Sequence, residues 1–320
     1  MNFLKFRALY FIFFSLVFLV NCQNQEKKEI LEIDFSNRKT VPTIPSGNSL
    51  RPIKAAVSAM SSPKETFIYY QQLLNYISKK LDTPLIFKQR KTYQEINDLL
   101  KKGELDFAFI CSGAYVKARE NFDLEILVIP IINNEPYYYA YIIVHKDSLI
   151  SKFGDLFGRS FAFTDSMSNT GMIYPLYLVT KKGFNPEDFF SKFIYTYAHD
   201  FSIQAVDRKL VDGASVDNLV FDYFKRNNPE KVADVRIIKK SPPFGIPPVV
   251  VNRNLDSQLK NKLRDIFFNM HQEEEGQKLL KKLMIDKFIL AQDSHYDSIR
   301  EMESSVNKRI MKDSVKNNMK

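Results

Sequence analysis

From Lys54 onward the chain alternates short apolar runs with segments of helical period. KAAVSAM reads as a strand, and the next segment sets Phe67, Tyr70, Leu74, Ile77 and Leu81 on one helical face. PLIFKQ is a second strand. YQEINDLLKKG is a short helix stopped by Gly103 in a cap position, and LDFAFIC is a third strand. The alternation continues through LEILVIPII, YYYAYIIVHK, RSFAFTD, KFIYTYA, GASV, VRIIKK and PPVVVNR. The helix LKNKLRDIFFNM then places Leu259, Leu263, Ile266, Phe267 and Met270 on one stripe. Such strands separated by helices predict an α/β protein with mostly parallel sheets covered on both faces. Residues 292–320 carry only a weak helical pattern and high charge, and read as a charged tail, a surface helix or a frayed end.

The first 22 residues follow a different pattern. Lys5 and Arg7 precede the apolar run ALYFIFFSLVFLV, and LVNC ends at Cys22. This resembles a bacterial lipoprotein signal with Cys22 as the lipidation site, Leu19 lying three residues before it; Asn21 is bulkier than the residue usual there. The alternatives are a plain membrane anchor or an unlipidated secretory signal, although the run is short against the roughly 20 residues of a membrane span. Residues 23–50 mix charge with Pro, Ser and Gly and read as a flexible tether.

Composition adds two constraints. The 320 residues are 45% hydrophobic and 13% aromatic, enough for one large or two medium domains with real cores. The net charge of +9 is scattered as Lys pairs among acids, which fits a solvated surface and no nucleic-acid partner. With Cys22 lipidated, Cys111 is the one remaining thiol, so no internal disulfide forms, and its place at the end of LDFAFIC reads as a small core residue.

The candidate chemistry lies in FTDSMSNTGMIYP, ending at Pro175. An apolar strand there delivers Ser168, Asn169 and Thr170 to the start of a helix, with Gly171 allowing close approach. Beyond the carboxyl end of a strand, a helix N-terminus offers unpaired N–H groups to an anion. The same residue types also cap helices, so composition leaves an anion cradle and an ordinary N-cap equally open.

The stretch resembles the Asp-Pro-x-Ser-Thr-Ser-Gly segment of the phosphate-, phosphite- and phosphonate-binding proteins of ABC importers, the PhnD type. The likeness runs from Lys54 to Leu290 and keeps its order through GELDFAFICSGAYV, YYYAYIIVHKDS before FGDLFGRSFAF, YAHDFSIQAV, LVDGASVDN and VRIIKKSPPFGIPPVVVNR. It implies a two-lobed periplasmic-binding-protein fold of type II, with two hinge crossovers and ligand in the cleft between lobes. Lobe one would be 51–142 plus 243–291 and lobe two 143–242, with crossovers near Ala140–Lys146 and Lys239–Pro247. By the same resemblance Ser168, Asn169 and Thr170 grip the oxyanion, His199 reaches it, and Tyr93 and Tyr138 line the cleft. Ser112, with Gly113, presents a second helix start or simply caps one. Asp217 matches one of two carboxylates that hold an ammonium in aminoalkylphosphonate binders. The second falls near Pro247, which has none, so phosphate, phosphite or a small alkylphosphonate is the expected ligand.

The function implied is an extracytoplasmic, lipid-anchored, monomeric binding protein that passes a small phosphorus oxyanion to ABC permease subunits. A ligand-sensing subunit of a membrane receptor could use the same cleft. A hydrolase built on Ser168, His199 and Asp200 lacks the Gly-x-Ser-x-Gly elbow. No cofactor is implied, and His145, His199, His271 and His295 have no metal-ligand spacing.

Overall fold

The computed structural model describes residues 51–317, side chains excepted for Tyr69 and 311–317. The signal, Cys22 and the tether lie outside the described residues. The first lobe opens with β1 (Ile53–Val57), α1 (Pro63–Leu81), β2 (Leu85–Lys88), α2 (Tyr93–Lys101), β3 (Phe107–Phe109), α3 (Ser112–Asn121) and β4 (Leu124–Ile131). After β5 (Tyr137–Tyr138) come β6 (Ala140–His145), β7 (Ser160–Phe163), a π-helical turn (Asn169–Ile173) continuing into α4 (Tyr174–Lys181), and α5 (Pro186–Phe189). The second lobe continues with β8 (Lys192–Tyr195), α6 (His199–Asp207), β9 (Gly213–Asp217), α7 (Asn218–Asn227) and β10 (Val235–Lys240). Then β11 (Phe244–Gly245) leads to β12 (Val249–Asn252), α8 (Ser257–Asn269), α9 (Glu274–Lys282), β13 (Lys287–Ile289) and α10 (Asp297–Asn317).

Two mixed sheets form the lobes, one in the order β13-β4-β12-β3-β1-β2 and one in the order β10-β6-β9-β7-β8. Within them β1 pairs in parallel with β2 and β3, and β7 with β8 and β9, as βαβ crossovers require. The antiparallel members are β4, β12 and β13 in one sheet and β6 and β10 in the other. Of these, β6 and β12, which leave the passage between lobes, and β13 run against the βαβ block, whereas β4 and β10, which enter it, run with the block and are antiparallel only to their own neighbours. The result is an α/β two-lobed periplasmic-binding-protein fold.

The passage itself is a two-stranded antiparallel ribbon in which Phe244 faces Tyr138 and Gly245 faces Tyr137. Ala140–Lys146, expected to hold the first crossover, is instead β6, a strand paired on both sides. The crossing lies just before it, because the apolar run YYYAYIIV breaks between β5 and β6 at Tyr139. Apolar periodicity does not register such a break.

Local signals account for the helix ends. Pro63 opens α1, and Thr92 and Glu95 form a reciprocal capping box at α2. Gly103 takes the left-handed conformation, φ +67°, just past that helix. The expected stripe of α1 is only partly right. Leu73, Leu74, Tyr76 and Ile77 are buried, whereas Phe67 is exposed and stacks on Phe87 with ring centroids 6.2 Å apart. The start of α1 reaches past the sheet to the interlobe gap, where Thr66 and Tyr70 line a cavity.

Each lobe has a core, with Leu73, Phe107 and Phe267 in the first and Ile143, Val206 and Phe221 in the second. A further cluster runs behind the ribbon and joins Tyr115, Tyr138, Tyr174, Phe244 and Tyr296. The weak helical pattern after residue 292 is present as α10, but the described part is packed rather than a charged tail. Within the described part, Tyr296, Ile299, Met302 and Val306 are buried, and α10 packs on both α3 and α4. The Tyr296 hydroxyl donates to the Ile246 carbonyl at 2.8 Å, and its ring lies 4.6 Å from Tyr115. A Cβ on Gly245 would sit 2.5 Å from the His295 carbonyl oxygen, so the ribbon needs glycine to pass beneath this segment. Tyr296→Ala should therefore cost about 3–5 kcal/mol in denaturant unfolding, as for other buried aromatics; a loss under about 1 kcal/mol would mark the segment as surface decoration.

Candidate functional site

Several helices begin at the gap between the lobes. The Tyr93 start of α2 and the Ser112 start of α3 come from the first lobe, and the Asn169 turn and the His199 start of α6 from the second. Helix starts bring unpaired N–H groups and partial positive charge without a cationic side chain. The lobes touch there. The Tyr93 N–H donates to Asp165 at 3.0 Å, the Ser62 N–H to Asp200 at 2.8 Å, and the His199 N–H to the Met60 carbonyl at 3.0 Å. A Cβ on Gly113 would lie 2.3 Å from the Met167 carbonyl oxygen, so contact at this point demands glycine.

Ser168, Asn169 and Thr170 are all fully buried. Ser168 is a true N-cap, its Oγ accepting from the Gly171 N–H at 3.0 Å. Accepting leaves the hydroxyl proton free to donate. Asn169 and Thr170 cap nothing: Asn169 Oδ1 and Thr170 Oγ1 have no hydrogen-bond partner in the protein. Gly171 is forced by packing, since a Cβ would fall 1.7 Å from Thr164 Oγ1.

His199 is also fully buried, and burial depresses its pKa to about 3, so the ring is neutral. Its Nδ1 accepts the Asp217 N–H at 3.1 Å, which puts the ring proton on Nε2. That nitrogen lies 3.5 Å from Ser168 Oγ. Asp217 caps α7 through the Leu219 N–H at 2.7 Å, and burial raises its pKa to about 7. The catalytic triad weighed above is not assembled. Asp200 turns away from the imidazole to the Ser62 N–H, and the histidine is oriented by a backbone N–H.

Tyr138, on the ribbon, accepts from Asn169 Nδ2 at 3.1 Å, and the Tyr93 hydroxyl is buried without a partner. Burial above all holds both phenols protonated. Ser112 does something else: its hydroxyl donates to the Gly245 carbonyl at 2.6 Å, tying α3 to the ribbon. Cys111 is buried, with its thiol pushed up to about 11 by burial, as suits a core residue. Sequence reasoning missed Ser58 and Asp165. Ser58 follows β1 directly and has a buried, unpartnered Oγ; Asp165 follows β7 and bonds across the gap. A polar residue at the carboxyl end of a buried strand was the available signal. Among the described residues no cluster of His, Cys, Asp and Glu could hold a metal, and no helix is long and apolar enough to cross a membrane.

Residues 55–296 match the family model for the periplasmic substrate-binding protein of phosphonate ABC transporters. The chain belongs to this family. Its members are binding proteins and not enzymes. The phosphonates-binding periplasmic protein of Escherichia coli is 30% identical over 175 residues, 53% of this chain and 51% of that protein, so the chain spans about half the length of that relative. A binding-protein component of a phosphonate ABC transporter from Pseudomonas aeruginosa superposes with a TM-score of 0.77 at 25% identity, covering 81% of this chain and 88% of the other. A Prochlorococcus marinus protein solved with methylphosphonate gives 0.74 at 17% identity, covering 80% and 98%, a likeness of fold.

In this phosphonate-family member, Asp217 titrates where the fold can feel it. The carboxyl holds its proton more tightly folded than unfolded, so the cost of ionising it grows as pH rises from about 4 to about 7 and is complete above that. Asp217→Asn keeps a capping side chain and removes the charge. Its melting temperature should exceed wild type at pH 8, with the advantage shrinking as pH falls and gone near pH 4. A difference independent of pH would exclude a titrating buried carboxyl.

Proposed function

We propose that the protein is a lipid-anchored extracytoplasmic receptor that captures a small phosphorus oxyanion (phosphonate, phosphite or phosphate) between its lobes and delivers it to ABC permease subunits. One observation carries the reading. Asn169 Oδ1, Thr170 Oγ1, Tyr93 OH and Ser58 Oγ are buried at the interlobe gap with no partner in the protein. Leaving each such group unsatisfied costs about 1–3 kcal/mol, and an oxyanion in their midst would answer several at once.

The roles follow from donor chemistry. Ser168, Thr170 and the Nε2–H of His199 donate to the anion, together with N–H groups of the Asn169 turn. A phenol both donates and accepts, so Tyr138 can bond the Asn169 amide in either orientation and let its NH2 face the ligand. Tyr93 closes the site from the first lobe. Ser112 serves the ribbon and leaves the ligand list. Because all these donors are neutral and the histidine does not charge, a bound anion keeps its charge uncompensated by any side-chain cation of the cluster. Ligand favours the shut arrangement only through contacts made by both lobes, which this donor set supplies. The family match and the phosphorus ligands named for its relatives support the same class.

Thr170→Val separates a cradle from a structural hydroxyl. It keeps the shape of the side chain and removes an oxygen bonded to nothing in the protein. Calorimetry should show phosphate or methylphosphonate binding weakened about 10- to 100-fold, the loss of a hydrogen bond to a charged group, with the ligand-free melting temperature unchanged or higher. Equal affinities would sink the cradle. Anchoring is tested at Cys22: labelled palmitate should enter the wild-type protein and not Cys22→Ala, and equal labelling would remove the lipid from the proposal.

A further inference from the structure

A cavity of about 110 Å³ lies between the lobes. Its walls are drawn from Val57, Phe109 and Phe288 of the first lobe, Leu219 and Phe224 of the second, and Ile246 and Pro247 of the return crossover. Its polar lining is hydroxyls, on Ser58, Ser61, Thr66, Tyr70 and Tyr223, and the Asp217 carboxyl. The Thr66 hydroxyl donates to the Ser61 carbonyl at 3.0 Å, and one Asp217 oxygen accepts from Leu219. No Lys, Arg or His lines the cavity, and Asp217 is the one carboxylate among its described lining residues.

The cavity adjoins the oxyanion cluster at Asp217, and Ser58 stands beside it on the wall. Both line it; Asp217 donates its N–H to His199, whose other nitrogen faces Ser168. Ser58 turns an unpartnered hydroxyl into the same region. A tetrahedral phosphorus gripped by its three oxygens directs its fourth bond away from them. With the oxygens at the Ser168–Thr170 turn and His199, a fourth bond directed past Asp217, whose N–H bonds His199, would enter this apolar space.

Resting on the oxyanion reading above, we propose that this cavity receives the organic substituent of a phosphonate, and that the substituent is an uncharged hydrocarbon group of about three or four carbons. The size follows from comparison with an apolar cavity of about 150 Å³, which holds benzene. The chemistry follows from the wall. An ammonium group placed here would lose its hydration against a wall mostly of Val, Phe, Leu, Ile and Pro side chains, with Asp217 as its single carboxylate neighbour where two would be needed to cage it. Methylphosphonate and phosphate would leave the space unfilled. The protein would therefore prefer alkylphosphonates over both the aminoalkyl compounds and the bare oxyanion.

The test is calorimetry of the full-length protein in detergent with phosphate, methyl-, ethyl-, n-propyl-, n-butyl- and n-hexylphosphonate, and 2-aminoethylphosphonate. The n-propyl and 2-aminoethyl compounds have nearly the same shape and differ in a terminal methyl against an ammonium. Affinity should rise about fourfold per carbon from methyl to n-propyl, the value of a buried methylene, and fall back at n-hexyl. The n-propyl compound should bind at least about tenfold tighter than 2-aminoethylphosphonate. Leu219→Phe, which fills the cavity from a half-buried wall position, should flatten the rise and spare methylphosphonate; should it not fold, the wild-type series decides alone. A flat wild-type series, or tighter binding of the aminoethyl compound, overturns the proposal while leaving the oxyanion site standing. No binding by any member of the series overturns both.

Discussion

Burying a polar group without a partner is costly, and the interlobe gap of this protein is organised around that cost. Some donors at the gap are answered from the opposite lobe. Asp165 takes the Tyr93 N–H, Asp200 the Ser62 N–H, and Met60 the His199 N–H, so contact between lobes satisfies helix starts that would otherwise face each other empty-handed. Other buried polar atoms, the hydroxyls of Ser58, Tyr93 and Thr170 and the amide oxygen of Asn169, are answered by nothing in the protein. The division between the two sets separates the groups that join the lobes from those that are buried there without a partner.

The buried donors at this gap, on Ser168, Thr170, His199 and Tyr93, include no formal cation; Lys231 pairs with Glu65 across the lobes elsewhere. The imidazole of His199 is kept neutral by burial and held in one tautomer by the Asp217 N–H, which makes it a directed donor insensitive to pH in the neutral range. Asp217 does double duty: its backbone orients the histidine, and its side chain caps α7. The same residue stands at the corner of the apolar cavity, so one strand end links the polar and apolar parts of the cleft.

Rigidity behind the cleft comes from an unexpected quarter. The ribbon of β5 and β11 is only two residues wide on each side, and it is backed by Tyr296 and α10, which pack on both lobes. Ser112 bonds the Gly245 carbonyl of the ribbon from α3, and Tyr296 bonds the next carbonyl, of Ile246, from the segment leading into α10. The passage between the lobes is therefore tied on two sides near Gly245 and Ile246.

The alternation of apolar strands and helical stripes was enough to read the α/β class, most of the strands and the helix that starts after Ser168, because those features are local and each depends on spacing of three or four residues or fewer. The ordered likeness to a known family added the two-lobed fold. What lay beyond reach was non-local. Whether Ser168 caps or cradles had no answer in composition, and the structure shows the cap in Ser168 Oγ beside two neighbours whose oxygens bond nothing in the protein. The break at Tyr139, which moved the crossover to β5, depends on which strands Ala140–His145 can pair with. The described part of the charged segment after residue 292 packs on the body because four spaced apolar side chains, Tyr296, Ile299, Met302 and Val306, meet a surface shared by both lobes. The tautomer of His199, the place of Ser58 and the apolar wall beside Asp217 likewise arise from residues far apart in the chain. Only their meeting in space sets burial and partners, and those set the chemistry.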